Sequence, residues 1–239
     1  MYFKNFDVKP FNSHFEGAYS DTELKWLRTC AVDKVNNLQT LMEGNNPASV
    51  LEVGCGSAVV LAEVARRRIG TSHVGIDLVD PRVHLDAGAA NLKVLPYDGI
   101  DIPFHAKAFD LVYASHVVEH VPDPRGFLTE ISRVAKKFVY VEVPCELTFR
   151  TTHQALQTSL NIGHINSFTP ESFLILLQTS GLKVREIRLF DHSLAVHQFH
   201  SSGIAGIVKR TIRGALLRFS PLLASRMFTY HCGALCAQD

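Results

Sequence analysis

The chain of 239 residues has no excess of charge of either sign: Lys and Arg total 24 against 23 Asp and Glu. That balance excludes the strongly basic surface that nucleic-acid phosphates usually select, so no nucleic acid is expected as a partner. There is no C-x-x-C pair. The five cysteines, Cys30, Cys55, Cys145, Cys232 and Cys236, are odd in number and scattered. They do not read as a disulfide framework, and they fit reduced thiols in a cytoplasmic protein. No stretch approaches the roughly 20 apolar residues that span a bilayer. Residues 1–10 carry Lys4, Asp7 and Lys9 and no apolar core, so no signal peptide is expected there. Repeats and low-complexity tracts are also missing. What is present is apolar material: 46% of residues are hydrophobic, enough for one large domain with a full core.

Along the chain, strand and helix signals alternate. Residues 1–20 form an aromatic arm, and Leu24, Leu27, Ala31, Val35, Leu38 and Leu41 repeat at helical spacing behind a cap at Asp21. Short apolar strands are expected at 49–53, 73–79, 91–95, 109–114, 138–143, 183–190 and 228–237. Helices are expected at 58–68, capped by Ser57, at 126–135, and after Thr169-Pro170-Glu171. Repeated β-α units of this kind predict an α/β fold: a doubly wound, mostly parallel seven-stranded sheet with helices on both faces. Residues 1–45 read as an N-terminal arm and helical lid. Residues 46–239 read as the main domain, with a helical cap insertion at about 193–227. Such sheets bind ligands beyond the carboxyl ends of their strands.

The first strand end is Glu52-Val53-Gly54-Cys55-Gly56-Ser57-Ala58. Glycines let the backbone turn tightly and approach a ligand, and the following helix N-terminus offers free N–H groups. Asp77 follows by the roughly 20 residues at which a carboxylate grips ribose hydroxyls. A dinucleotide site needs G-x-G-x-x-G, and Val59 occupies its third position. Glu52 would also repel a pyrophosphate, whereas a cationic ligand head explains it. An NAD-type oxidoreductase is therefore the weaker alternative.

With these residues in view, the sequence resembles the class I S-adenosylmethionine-dependent methyltransferases over about residues 48–190. Leu51–Gly56 resembles their first motif, with Ala58 at its third glycine. Gly75-Ile76-Asp77 resembles the second. Asp98-Gly99 before Ile102-Pro103-Phe104 resembles the third-strand segment. Phe109–Ser115 with Glu119-His120-Val121 resembles the fourth. The resemblance implies S-adenosylmethionine as cofactor and S-adenosylhomocysteine as product. It implies Gly54 and Gly56 against the methionine moiety, Asp77 on the ribose, Leu78 beside the adenine, Asp98 and Gly99 at its edge, and Ser115 closing the far side.

The sulfonium carbon is already activated, so the protein must mainly align a nucleophile and exclude water. A base is needed when the acceptor is a hydroxyl. His116, in His116-Val117-Val118-Glu119-His120, and His164, in Gly163-His164-Ile165-Asn166, are the candidates. The H-x-x-E-H string is not expected on a long helix, which argues against a protease zinc site. Quinone-biosynthesis O-methyltransferases look similar here, with Glu-x-x-Glu-His on a divalent ion. His116 replaces the first of those acids, and no metal site is expected. His192, His197 and His200 have no zinc-type spacing and read as a loop or cap wall. Tyr19 is expected over the sulfonium, where an aromatic face favours a cation. The basic amphipathic run 207–219 reads as a solvated helix face, with weak contact to a membrane surface or an acidic acceptor as the other reading. The function expected is methyl transfer to a small-molecule, sugar or lipid acceptor at a hydroxyl oxygen; a non-catalytic binding protein with a retained nucleotide site is the third alternative.

Overall fold

The computed structural model describes residues 19–83, 85–199 and 203–238. The arm residues 1–18 and His200 lie outside them. Helix α1 spans Asp21–Leu41. Its cap is Ser20 rather than Asp21: the Ser20 side chain accepts from the Glu23 N–H, and the Glu23 carboxylate accepts from the Ser20 N–H. A hydroxyl one residue earlier completes a reciprocal box that Asp21 cannot form. The helix buries Ala31, Val35, Leu38 and Leu41 as expected, but also two polar residues, Asp33 and Asn37.

Seven strands form one sheet in the order β3-β2-β1-β4-β5-β7-β6. They are β1 (Ser49–Val53), β2 (Ser72–Asp77), β3 (Lys93–Pro96), β4 (Phe109–Ser115), β5 (Ala135–Cys145), β6 (Lys183–Phe190) and β7 (Tyr230–Ala237). The first five pair in parallel, while β7 runs antiparallel between β5 and β6. Alternate side chains divide the core into two layers, as a pleated strand requires. Leu111, Tyr113, Tyr140 and Leu235 face α1 and α2 (Val59–Arg66). Val112, Val139, Val141 and Ala234 face α3 (Pro124–Val134) and α5 (Pro170–Thr179). Between them lies α4 (His153–Asn161), which periodicity did not announce because none of its residues is buried.

The run before β7 is helical, as expected: α6 (Leu194–Phe199), α7 (Gly203–Phe219) and α8 (Pro221–Met227). Lys209, Arg210 and Arg218 of α7 are exposed, as a solvated basic face predicts, and Arg213 is the exception. Arg213 points inward, donating to Asp191 Oδ1 at 2.7 Å and lying over the Tyr230 ring at 4.4 Å. Ile204, Ile207, Val208, Ile212 and Phe219 are exposed as well. No described helix is long and apolar enough to cross a membrane.

Strand order reverses between β1 and β4, so the crevice beyond their carboxyl ends is the natural ligand site of this sheet.

Candidate active site

A cavity of about 610 Å³ opens at that crevice. Its size suits a small ligand. Glu52, Gly54, Gly56, Asp77, Leu78, Asp98, Gly99 and Ser115 all line it, together with Tyr19 and His116. Residues from four strand ends are thus brought to one wall, as the motif order implied.

The turn after β1 depends on glycine. Gly54 has φ +78°, and a Cβ there would sit 2.4 Å from Val117 Cγ2. The Gly54 N–H donates to the Ile76 carbonyl at 2.8 Å, tying the turn to β2. The Gly56 N–H donates to Asp77 Oδ2 at 2.7 Å, so this carboxylate shapes the loop. Ser57 does not cap α2. Ala58 takes the cap position with φ +59° and no side-chain bond, and the Ser57 hydroxyl is buried with no partner among the described residues. The left-handed turn at Ala58 carries Ser57 away from the helix axis, which explains the failed expectation.

Glu52 is buried, and its Oε2 has no hydrogen-bond partner among the described residues. Burial pushes its carboxyl up to about 8, with the Tyr113 hydroxyl and Lys34 drawing it part of the way back. Burial likewise raises Asp77, which accepts from two backbone N–H groups. A cavity wall with two desolvated carboxyls favours a cationic ligand. Gly99, at φ +82°, leaves room for Leu78, whose Cδ2 would lie 2.5 Å from a Cβ there. Asp98 spends Oδ1 on the N–H groups of Ile100 and Asp101. The Tyr19 hydroxyl lies 3.2 Å from where a Gly56 Cβ would be, so this side chain stands against the glycine turn.

His116 follows β4 with φ +61°, a left-handed backbone that a non-glycine residue seldom adopts. Its N–H donates to the Glu142 carbonyl at 2.9 Å. Burial works against its charge, but Glu119 and Glu142 more than offset that and raise it. Glu142 is fully buried and held well below the usual carboxylate range: burial opposes ionisation, and His116 and His231 overcome it. The short turn Val118–His120 follows β4, so the H-x-x-E-H string is not on a long helix.

His164 is not among the residues lining the cavity. It stands behind His120, which does line it, with ring centroids 4.8 Å apart. His164 Nδ1 pairs with Glu146 Oε2 at 2.9 Å. His192 and His197 line a second cavity of about 450 Å³, beside Glu146, Lys209 and Arg213. Sequence reasoning missed Lys34, Tyr97 and His120 as lining residues, and it missed Asn37, Glu142 and His231 behind them. Asn37 and Asp33 carried a signal, since polar residues on the apolar face of α1 demand partners.

Comparison with known proteins follows the same lines. A family model described as a methyltransferase domain matches residues 25–187. The malonyl-(acyl-carrier protein) O-methyltransferase of Salmonella typhimurium is 30% identical over 181 residues, covering 74% of this chain and 68% of that protein. A ubiquinone biosynthesis O-methyltransferase of Psychrobacter arcticus is 29% identical over 153 residues, covering 53% of this chain and 59% of that one. The chain thus spans about two thirds or less of these relatives. A solved geranyl diphosphate C-methyltransferase from Streptomyces coelicolor A3(2), in complex with S-adenosyl-L-homocysteine among other ligands, matches in fold. Its TM-score is 0.63 at 17% identity, over 86% of this chain and 75% of that one.

Proposed function

This chain belongs to the class I S-adenosylmethionine-dependent methyltransferases, and on that premise we propose that it carries a methyl group from S-adenosylmethionine to an oxygen of a small-molecule, glycan or acyl acceptor. The observation that carries this reading is the convergence of Glu52, Gly54, Gly56, Asp77, Asp98, Gly99 and Ser115 on one cavity. In this reading Asp77 holds the ribose hydroxyls, and Leu78, Asp98 and Gly99 frame the adenine. The backbone of Gly54 and Gly56 lies against the methionine moiety. Glu52, protonated in the folded chain below about pH 8, releases its proton when the cationic head binds and then faces it as a carboxylate. Tyr19 covers the sulfonium from the arm side.

The acceptor enters at the His116 end of the cavity, where an imidazole stands beside Ser115. His164 is a positioning residue: Glu146 orients it, and it orients His120 in turn. Both relatives carry O-methyltransferase in their names, which supports oxygen over nitrogen as the methylated atom. The five cysteines are buried and unpaired, which fits a reducing compartment such as the cytoplasm.

The test is ligand-induced thermal stabilisation. A ligand that binds only the folded chain raises the midpoint by mass action. S-adenosylhomocysteine is expected to raise it, and NAD is not. A shift with NAD alone would overturn the assignment. Stabilisation by S-adenosylhomocysteine without methyl transfer to any acceptor would favour the binding-protein alternative.

A further inference from the structure

Behind the cavity wall, three potential ligand atoms meet. His116 Nε2, His231 Nδ1 and Glu142 Oε1 are separated by 3.1, 3.3 and 3.5 Å. They come from the turn after β4, from β5 and from β7. The β5–β7 register, with Glu142 opposite Gly233 and Pro144 opposite His231, places the acid and His231 on the same sheet face.

Each of the three is held from behind. His116 Nδ1 lies 3.2 Å from Glu119 Oε1. His231 Nε2 lies 3.2 Å from His192 Nε2. Glu142 Oε2 accepts from the Tyr140 hydroxyl at 2.5 Å and from Asn37 Nδ2 at 2.9 Å. The outer partner of an imidazole sets its tautomer. With a proton on His116 Nδ1 facing Glu119, and one on His231 Nε2 facing His192, both inner nitrogens present bare lone pairs. Those lone pairs then face Glu142 Oε1, which also accepts from the Ser115 hydroxyl at 3.3 Å. Such an arrangement calls for a cation.

We propose that His116, Glu142 and His231 bind a divalent transition-metal ion of the zinc type. Tetrahedral bonds of about 2.05 Å separate neighbouring ligand atoms by about 3.3 Å, and the three observed distances straddle that value. Two imidazoles and one carboxylate suit zinc rather than Mg²⁺ or Ca²⁺, which prefer all-oxygen shells. The outer contacts of both histidines and the acid follow the pattern that orients metal ligands. The left-handed backbone at His116 fits as well, since strain of that kind persists where the surroundings over-determine a functional geometry. Three protein ligands leave one position open. His116 lines the cavity, so on the methyltransferase reading that position serves the acceptor oxygen, whose proton a metal loosens.

The test needs no methyl donor, so its failure is separate from failure of the proposed function. The full chain is stripped with a chelator, then titrated with Zn²⁺ followed by elemental analysis, and with Co²⁺ followed by visible absorption. The expected result is one equivalent of zinc and the intense visible bands of tetrahedral cobalt. His231→Gln and Glu142→Gln should lose both. His192→Ala keeps all three ligands, and it should weaken binding about 10- to 100-fold. His116→Ala, at the cavity wall, guards against misfolding of the buried variants and should also abolish binding. His164→Ala should bind as the native chain does. The proposal is overturned if the native chain binds no equivalent, which would make the cluster a shared-proton network. Unchanged binding in His116→Ala or His231→Gln also overturns it, as does loss confined to His164→Ala, which would place the ion elsewhere.

Discussion

Replacing Glu52 by Gln should change stability and ligand binding in opposite directions. Burial raises the Glu52 carboxyl from 4.5 to about 8 in the folded chain. Between those values the folded state holds a proton that the unfolded state has released. Stability therefore falls as pH rises from about 4.5 to 8. At roughly 1.4 kcal/mol per pH unit the full loss is about 5 kcal/mol, of which about 3 kcal/mol has accrued at pH 7. Gln mimics the protonated acid at every pH. Glu52→Gln should match the native chain near pH 5 to within about 1 kcal/mol, and should melt roughly 6–12 °C higher at pH 7. Melting curves of both proteins across this range isolate the Glu52 contribution, because every other group titrates in both. A cationic ligand selects the ionised acid. Native affinity for S-adenosylmethionine should therefore rise up to about tenfold per pH unit below 8, with proton release detectable by calorimetry in buffers of different ionisation enthalpy. The variant should bind weakly with no such slope. A melting difference that stays flat from pH 5 to 8 would refute the argument.

Other perturbations read different parts of the structure. Gly54→Ala forces a Cβ into Val117 at a left-handed backbone position, and should cost about 1–3 kcal/mol of stability by chemical denaturation while abolishing S-adenosylhomocysteine binding by calorimetry. Gly99→Ala should displace Leu78 and weaken cofactor affinity with a stability loss of only about 1–2 kcal/mol. Arg213→Met leaves the half-buried Asp191 with His197 but without its arginine and should destabilise the chain by about 2–3 kcal/mol, most of it recovered when Asp191→Asn is added. His164→Ala should lower turnover about tenfold or more while cofactor affinity, measured by calorimetry, stays constant; equal loss of both would remove its positioning role.

Local signals in the sequence were read well where they rest on neighbours along the chain. The bounds of β1 and β6 fall at 49–53 and 183–190 as expected, because apolar runs between turn residues mark short strands. The residues expected at the cofactor, Tyr19 apart, sit at or just beyond strand ends in contiguous motifs. What escaped depends on strands brought together in space. The direction of β7 cannot be inferred from its composition, yet it decides that His231 meets Glu142. Helix α4 offers only the pair Leu156 and Leu160 at helical spacing, both half-buried, too short a pattern for periodicity to mark it. The cap at Ala58 is a backbone conformation that residue type does not announce. Arg213 looks like a surface cation until Asp191 and the Tyr230 ring are placed around it.

The antiparallel strand wedged between β5 and β6 also sets an order of assembly during synthesis. Strands β1 to β5 emerge first and can pair among themselves, leaving the 11-residue β5 as a bare edge. The β6 strand has no seat on that edge until β7 arrives. A nascent chain must therefore carry an exposed apolar ribbon while everything from α4 to α8 is translated. Bare edges of that kind recruit other chains. Substitutions in β7 should thus appear first in cells as insoluble protein, and only in the surviving soluble fraction as altered chemistry.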